Sequence, residues 1–300
     1  MYSEITANKR KTFGLMAAFI LLVLGLGWAL GEYFGSPSGG LIAAGVVAAV
    51  MNLIGYFQGD KVALAASGAK PIERRDNPQL YTLVENLAIA SGLPTPKVYV
   101  IADPSPNAFA TGRDPSHASV AVTTGLLEIM DRAELEGVLA HEMSHVKNYD
   151  IRVMTIVVVL VGTILLLSDW LLRMTVFGGR RDSEKSSGQL GVILLVIGLV
   201  LAILSPLLAE LIKLAVSRSR EYLADASGSL LTRYPDGLAR ALEKIAAHDR
   251  PLLRANHATA HLFLANPFDP HVTKKFEQLF STHPPIEERI ARLKKMGTTV

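Results

Sequence analysis

Two histidines and a glutamate near the middle of the chain have the spacing of a metal-dependent hydrolase. His141, Glu142 and His145 form the pattern H-E-x-x-H. On a helix, positions i and i+4 lie on one face, so the two imidazoles can bind the same metal ion. Glu142 can then reach a water molecule in an open coordination position and act as its general base. The pattern therefore predicts a catalytic zinc site, with a single zinc ion per chain.

The residues around this motif predict a helix with one buried face. Asp131 and Glu134 match a capping box at its start. An apolar stripe follows, and it is formed by Leu135, Val138, Leu139 and Met143. Neither Pro nor Gly interrupts the motif itself. A chance match on an exposed, charged helix is the alternative, and the apolar stripe argues against it.

A catalytic zinc site usually has a third protein ligand, and the chain contains no cysteine. The ligands must therefore be histidines or carboxylates. We favour Glu221, because Asp225 lies one turn further along the same helical face and can hold a ligand histidine by its other ring nitrogen. Two alternatives stay open: Glu210 is the ligand, or Glu221 lies on an exposed face and pairs with Arg218 and Arg220.

The composition indicates a membrane protein. Hydrophobic residues make up 50% of the 300 residues, and the mean hydropathy is +0.31. Four long apolar runs occur, at residues 12–31, 35–59, 153–172 and 189–209. Each is long enough to cross a bilayer core, and a buried soluble helical hairpin is the alternative for the last two. The first exceeds the core of a normal signal peptide and another follows it directly, so we expect an uncleaved anchor.

Basic residues predict how these segments are oriented. They flank both ends of the first hairpin: Lys9, Arg10, Lys11, Lys61, Lys70, Arg74 and Arg75. Because basic residues favour the cytoplasmic side, both ends of this hairpin should lie on the cytoplasmic side of the cell membrane. The two later runs lie between His145 and Glu221, so a shared metal ion requires an even number of crossings. The basic loop 173–188 opposes this orientation, so the second hairpin either crosses despite its charge or dips into the bilayer.

We therefore predict a mostly α-helical membrane protein, with four transmembrane helices and a small α+β, zincin-like protease domain. A transmembrane hairpin would occupy residues 1–63, and the first part of the protease domain residues 64–150. A second hairpin, spanning or dipping, would occupy residues 151–215. The second part of the protease domain, with the third ligand, would occupy residues 216–300.

Local patterns predict the elements of the protease domain. Three short strands are expected at Lys97–Ala102, Asn107–Gly112 and Ser119–Thr123. Asn77 or Asp76 should cap a helix that precedes them. We also expect the helix of the metal motif to continue into the third apolar run, because no Pro or Gly separates them. The helix that carries Glu221 should likewise continue from the fourth run.

The chain resembles the HtpX family of membrane zinc metalloproteases, which are of the gluzincin type. The similarity is carried, in chain order, by NAFATG at 107–112, AHEMSH at 140–145, SREYLAD at 219–225 and THPPIEERI at 282–290. It covers essentially the whole chain. The resemblance implies a cytoplasm-facing endopeptidase that removes misfolded or damaged membrane proteins under stress. It also implies that His141, His145 and Glu221 bind zinc and that Glu142 is the catalytic base.

Two further site predictions combine this resemblance with chemistry. The strand that begins with Asn107, Ala108, Phe109 and Ala110 could present an edge to which an extended substrate adds as a further strand. An ordinary inner strand is the alternative. His283, held by two prolines, could donate to the oxyanion that forms during peptide cleavage. A plain turn histidine is the alternative there.

The predicted partners are the lipid bilayer and unfolded or membrane-protein substrates. Nucleic acid is excluded, because the net charge of +3 is modest and no basic run is interleaved with aromatic residues. Two other functions stay open: an endoprotease for prenylated (CAAX-type) peptides, and a membrane chaperone or scaffold with structural zinc. An intact Glu142 disfavours the scaffold, since a closed structural site needs no base. His257 and His261 repeat the i, i+4 spacing without the glutamate, and we interpret them as a coincidental pair.

Overall fold

The computed structural model describes residues 2–33, 35–178, 217–248, 250–268 and 284–297. The helices and strands in these ranges are α1 (Tyr2–Tyr33), α2 (Pro37–Ala66), β1 (Ala69–Pro71), α3 (Pro78–Ser91), β2 (Lys97–Ile101), β3 (Ala108–Gly112), β4 (Ala118–Thr123), α4 (Thr124–Ile129), α5 (Arg132–Lys147), α6 (Asp150–Gly178), α7 (Arg218–Thr232), α8 (Pro235–Ala246) and α9 (Ile286–Gly297). Short 3-10 turns lie at Pro115–His117 and Ala260–Leu262. The described chain is thus mostly helical, with one small sheet.

Three of the described helices are long and apolar enough to cross a membrane. Their spans are Ile5–Glu32 in α1, Pro37–Ala66 in α2 and Asp150–Asp169 in α6. The span in α6 is 72% buried, against 17% and 22% for the other two, so α6 is the inner helix of the bundle. The first three predicted spans are therefore found. The fourth predicted span, residues 189–209, lies outside the described residues.

The three long helices meet along stripes of buried residues. The buried stripe of α1 is Asn8, Thr12, Leu15, Phe19 and Val23, and that of α2 is Ala44, Ala48, Asn52, Gly55, Gly59 and Ala63. Small side chains allow close approach: a Cβ on Gly59 would lie 2.7 Å from Cγ2 of Thr155 on α6. Asn8, near the start of α1, contacts Asp150 at the start of α6. The start of α1, the end of α2 and the start of α6 therefore lie at one end of the bundle.

The sheet lies between this bundle and the helices of the protease domain. Its strand order is β1-β2-β4-β3, with β2 and β4 parallel and the other two pairs antiparallel. Alternate residues point to opposite faces. Val98 and Val120 pack with α3, α5 and α8, whereas Phe109 and Ala121 pack with the bundle. The three predicted strands are confirmed to within one residue, and β3 lies at an edge.

Helix caps appear where the sequence predicts them. The Asn77 side chain accepts a hydrogen bond from the Leu80 N–H at 3.0 Å and caps α3. Asp131 and Glu134 form the capping box of α5: each side chain accepts from the other's backbone N–H, at 2.9 and 2.8 Å. The start of the metal-motif helix is therefore fixed locally.

The two predicted helix continuations are wrong. Between α5 and α6, Tyr149 adopts a left-handed conformation with φ of 60°, although it is not glycine. Tertiary contacts hold it there: Lys9 Nζ and Arg152 Cζ each lie 5.0 Å from the centre of its ring. Ser217 is likewise extended, with φ of −104° and ψ of 141°, so α7 begins afresh at Arg218.

Candidate active site

Two helices of the protease domain lie almost backbone to backbone, and this contact assembles the site. A Cβ on Gly228 of α7 would lie 2.9 Å from the His141 nitrogen on α5, so only glycine allows this approach. Gly137 allows a similarly close approach between α5 and α8, where a Cβ would lie 2.7 Å from the Leu238 nitrogen. As a result, Glu221 on the first turn of α7 points towards the histidines of α5.

His141, His145 and Glu221 converge in a buried cluster. The two Nε2 atoms are 3.1 Å apart. Glu221 Oε1 lies 3.5 Å from His145 Nε2, and Oε2 lies 3.8 Å from His141 Nε2. The three side chains offer one ligand atom each within 4.8 Å of one another, and the residues are at most 4% exposed. Among the described residues, they form the one such group of three histidine, cysteine or acidic side chains.

The outer ring nitrogens show why this cluster suits a cation. His141 Nδ1 lies 2.9 Å from Asp225 Oδ1, and His145 Nδ1 lies 3.1 Å from Asp150 Oδ2. Carboxylates at these positions favour N–H at Nδ1 and leave a lone pair on each Nε2. Two lone pairs and a carboxylate that face one another in a buried space repel unless a positive charge lies between them. The donors therefore fit a metal ion that binds nitrogen and oxygen.

Both orienting carboxylates are themselves paired with a buried arginine. Arg289 on α9 binds Asp225 with two hydrogen bonds, Nε to Oδ2 at 2.9 Å and Nη2 to Oδ1 at 2.7 Å. Arg220 Nη1 donates to Asp150 Oδ1. The site thus contains two parallel chains of histidine, aspartate and arginine, one behind each histidine. Asp225 was predicted for this role, whereas Asp150 was not.

Burial and the local charges shift the acidities of these groups. Burial, with a smaller contribution from the Glu221 charge, raises the pKa of Glu142 to about 7. Burial alone would lower the pKa of His145, but its bond to Asp150 and the nearby carboxylates raise it to about 9. For Asp225 burial opposes ionisation, yet Arg289 and the bond from His141 lower its pKa to about 2. The carboxylates around His145 therefore favour a positive charge there, whereas burial lowers the pKa of His141.

The edge strand β3 lies beside this cluster. The Thr123 N–H donates to the Asn107 carbonyl. In this antiparallel register the backbone N–H and C=O groups of odd-numbered β3 residues bond to β4, and those of even-numbered residues point away from the sheet. The Ala110 N–H donates to the Glu142 carboxylate. At Ala108, the carbonyl accepts from the Leu264 N–H at 2.9 Å. The outer edge of β3 is thus in contact with the catalytic glutamate candidate and is partly covered by the chain itself.

The remaining predicted residues have the following positions. The Asn107 side chain donates to the Ala265 carbonyl at 3.0 Å, and the Phe109 ring packs edge-on against Phe263 with centroids 5.0 Å apart. His283 lies outside the described residues, as does Glu210. The other histidine pair contacts different groups: His261 Nε2 lies 2.9 Å from the Met154 carbonyl, and the His257 ring lies 4.6 Å from that of Phe268.

A family model described as peptidase family M48 matches residues 74–297, which include every residue of the cluster. The chain belongs to peptidase family M48. Its similarity to curated protease relatives extends over nearly the full length, and together these findings make it a membrane metalloprotease. The family implies a bound metal, and the cluster of His141, His145 and Glu221 offers donors for one.

Several relatives carry the description "Protease HtpX homolog". The protein of Tropheryma whipplei (strain TW08/27) is 50% identical over 297 residues, which are 99% of each chain. Those of Caldanaerobacter subterraneus subsp. tengcongensis and Streptococcus gordonii are 48% and 43% identical, and cover 99% of this chain and 98% and 100% of their own. The crystal structure of S. mikatae Ste24p matches with a TM-score of 0.50 at 20% identity, over 98% of this chain and 67% of that one. That likeness shows a shared fold.

In this M48 protease, the sequence did not predict the two arginines that pair with Asp225 and Asp150. Arg289 stands in the THPPIEERI motif, 64 residues from its partner Asp225, and nothing in the local pattern marks it as buried. Arg220 was considered only as a partner on an exposed face, but it is 6% exposed. The signal that could have found them is charge balance, since a buried carboxylate needs a buried cation.

Replacing Arg289 with glutamine is expected to destabilise the M48 protease strongly. The change leaves Asp225 buried without its cation, which typically costs about 3 to 5 kcal/mol of unfolding free energy. Unfolding by denaturing detergent, followed by circular dichroism, measures this loss. Arg292→Gln on the same helix is the matched control, because its side chain is 50% exposed and a surface ion pair contributes little. Equal stability of wild type and Arg289→Gln would contradict the structural importance of this pair.

Proposed function

We propose that the protein is a zinc-dependent endopeptidase in which His141, His145 and Glu221 bind the zinc ion. The observation that carries this proposal is the convergence of the three buried donors, with both Nε2 lone pairs directed into the same space. Zinc fits because it accepts nitrogen and oxygen ligands in sites with three protein donors. When bound, zinc acts as a Lewis acid that polarises the scissile carbonyl and makes a water molecule more acidic.

Glu142 is the proposed base. Its carboxylate takes the proton of the attacking water and then delivers it to the nitrogen of the leaving amine. A pKa raised to about 7 by burial suits a group that must both accept and donate a proton near neutral pH. Asp225 and Asp150 keep the two imidazoles in the correct tautomer and orientation through their Nδ1 atoms. His283 stays a candidate for stabilising the oxyanion.

An extended polypeptide is the proposed substrate. A substrate strand would add at the outer edge of β3 around Ala110, whose C=O can accept from it and whose N–H would exchange its bond to Glu142 for one to the substrate. Asn107 and Phe109 secure β3 through their side chains. Only an unfolded segment can add to a strand in this way. Because Glu142 lies against Ala110, a paired substrate would be held beside the base. Unfolded proteins are therefore favoured over folded ones.

Misfolded or damaged membrane proteins are the proposed source of such segments. Asp150 begins the membrane span of α6 and is five positions after His145, so the site lies at most about 18 Å along the chain from the bilayer. The basic residues Lys9, Arg10 and Lys11 lie near the start of α1, at the same end of the bundle. Because basic residues favour the cytoplasmic side, we propose that the site faces the cytoplasm.

Proteoliposomes that contain the full-length protein test this function. One unfolded segment is supplied either on a transmembrane anchor or as a soluble peptide, at equal concentration. We expect zinc-dependent cleavage of both, with the anchored form cut about tenfold faster because anchoring raises its effective concentration. A chelator should abolish both reactions, and added zinc should restore them. Equal rates would contradict the membrane preference, and absence of cleavage with zinc present would contradict the proposed activity.

A further inference from the structure

The first membrane helix contacts the junction between α5 and α6 at three consecutive residues. Asn8 Nδ2 donates to the Asn148 carbonyl at 2.8 Å and to Asp150 Oδ1 at 2.7 Å. Lys9 Nζ lies over the Tyr149 ring between them. Asn8 is completely buried. The start of α1 is therefore attached directly to the segment that carries one of the two orienting carboxylates.

Asp150 is a shared acceptor for three parts of the chain. Its Oδ2 accepts from His145 Nδ1 on α5, and its Oδ1 accepts from both Arg220 on α7 and Asn8 on α1. Asn8 and Arg220 thus share one carboxylate oxygen, and His145 binds the other. Loss of the Asn8 donor would free the side on which α1 lies and allow the carboxylate to turn. Because the bond to this carboxylate sets the orientation of the His145 ring, rotation of the carboxylate would also displace His145 Nε2.

Stability alone does not account for an asparagine at this position. The buried stripe of α1 also includes the apolar residues Leu15, Phe19 and Val23, so packing along it does not require a polar side chain. Among the described residues, no group bonds to the Asn8 Oδ1 atom, although it is buried. An unpaired buried polar atom is unfavourable, so what distinguishes Asn8 from the equally buried Thr12 is the pair of hydrogen bonds that Nδ2 donates to Asn148 and Asp150.

We propose that Asn8 is a positioning residue of the protease site: from the first membrane helix, it holds Asp150 and thereby orients the metal-binding nitrogen of His145. This inference rests on the proposed ligation of zinc by His145. Its consequence is that the metal centre is complete only when α1 packs against α6. The hydrolytic site is thus coupled to correct assembly of the membrane helices.

The test is Asn8→Leu in the full-length protein, with zinc affinity measured by competition with a chromophoric chelator. Leucine has a similar branched shape but cannot donate a hydrogen bond, so the metal-free protein should stay folded although it is less stable than the wild type. Zinc affinity should nevertheless fall about tenfold, as expected when the support of a ligand histidine is weakened. The visible spectrum of the cobalt-substituted protein should change with it. A contact that served only packing would leave affinity and spectrum unchanged.

Thr12→Val is the matched control. Thr12 lies one turn further along the same stripe, is equally buried, and its hydroxyl has no hydrogen-bond partner among the described residues. We expect wild-type zinc affinity and cobalt spectrum for this variant. Asn8→Ala provides a second test of Asn8, with the same expected loss of zinc affinity. Equal affinities of wild type and both Asn8 variants overturn the proposed role of Asn8 alone, whereas a wild type that binds no zinc overturns the proposed function as well.

Discussion

Glu142→Gln is expected to lose proteolytic activity by about a hundredfold to ten-thousandfold while it keeps its metal. Glutamine has nearly the same size and can still accept a hydrogen bond from the Ala110 N–H, so the site should stay assembled. It cannot accept the proton of the attacking water. The rate of cleavage of an unfolded membrane substrate measures the loss, and elemental analysis measures the zinc content of the same preparation.

Glu136→Gln is the matched control for this change. Glu136 lies on the same helix, α5, but it is partly exposed and outside the cluster. Its activity should equal that of the wild type. Near-wild-type cleavage by Glu142→Gln, in a preparation free of other proteases, would show that Glu142 is not the base. Loss of zinc from Glu142→Gln would instead show that its carboxylate is needed to build the site.

Glu221→Ala is expected to weaken zinc binding by at least about a hundredfold, more than the loss of a supporting group would. The substitution removes the only carboxylate among the three converging donors and leaves two imidazoles. Zinc content after dialysis against a buffer of fixed free zinc concentration measures the effect. Activity should fall in parallel, because the remaining donors do not hold the ion.

Glu210→Ala decides between the two candidates for the third ligand. If Glu221 binds the metal, Glu210→Ala should retain stoichiometric zinc under the same dialysis conditions. The opposite result, with zinc lost from Glu210→Ala and kept by Glu221→Ala, would identify Glu210 as the third ligand. The pair of variants therefore tests the assignment of the ligand and not merely the need for one.

Local patterns in the sequence predicted the parts of the site that short-range physics determines. The i, i+4 spacing of His141 and His145 and the capping box of Asp131 depend only on helix geometry and neighbouring backbone groups. The choice of Glu221 with Asp225 followed from their shared helical face. Each of these patterns concerns residues within two turns of one another. The joining of Glu221 to the histidines, which precede it by 76 residues or more, was predicted instead from the need for a third ligand, and the structure brings the three together.

The features that sequence reasoning missed depend on distant parts of the chain. Asn8 and Asp150 are separated by 142 residues, and Arg289 and Asp225 by 64, so no local sequence pattern predicts either contact. The break at Tyr149 has a similar origin. No helix-breaking residue marks it, and its left-handed conformation is held by cations from α1 and α6. Tertiary contacts here override local helix propensity.

The most direct test of the central claim is X-ray absorption at the zinc edge of the purified, full-length protein. We expect one zinc ion per chain, bound by two imidazole nitrogens and a carboxylate oxygen at about 2.0 to 2.2 Å. His141→Ala, which leaves two of the three donors, should lose the ion and with it the imidazole signal. Less than stoichiometric zinc in the wild type, or a spectrum without two imidazoles, would contradict the claim that His141, His145 and Glu221 form the metal centre.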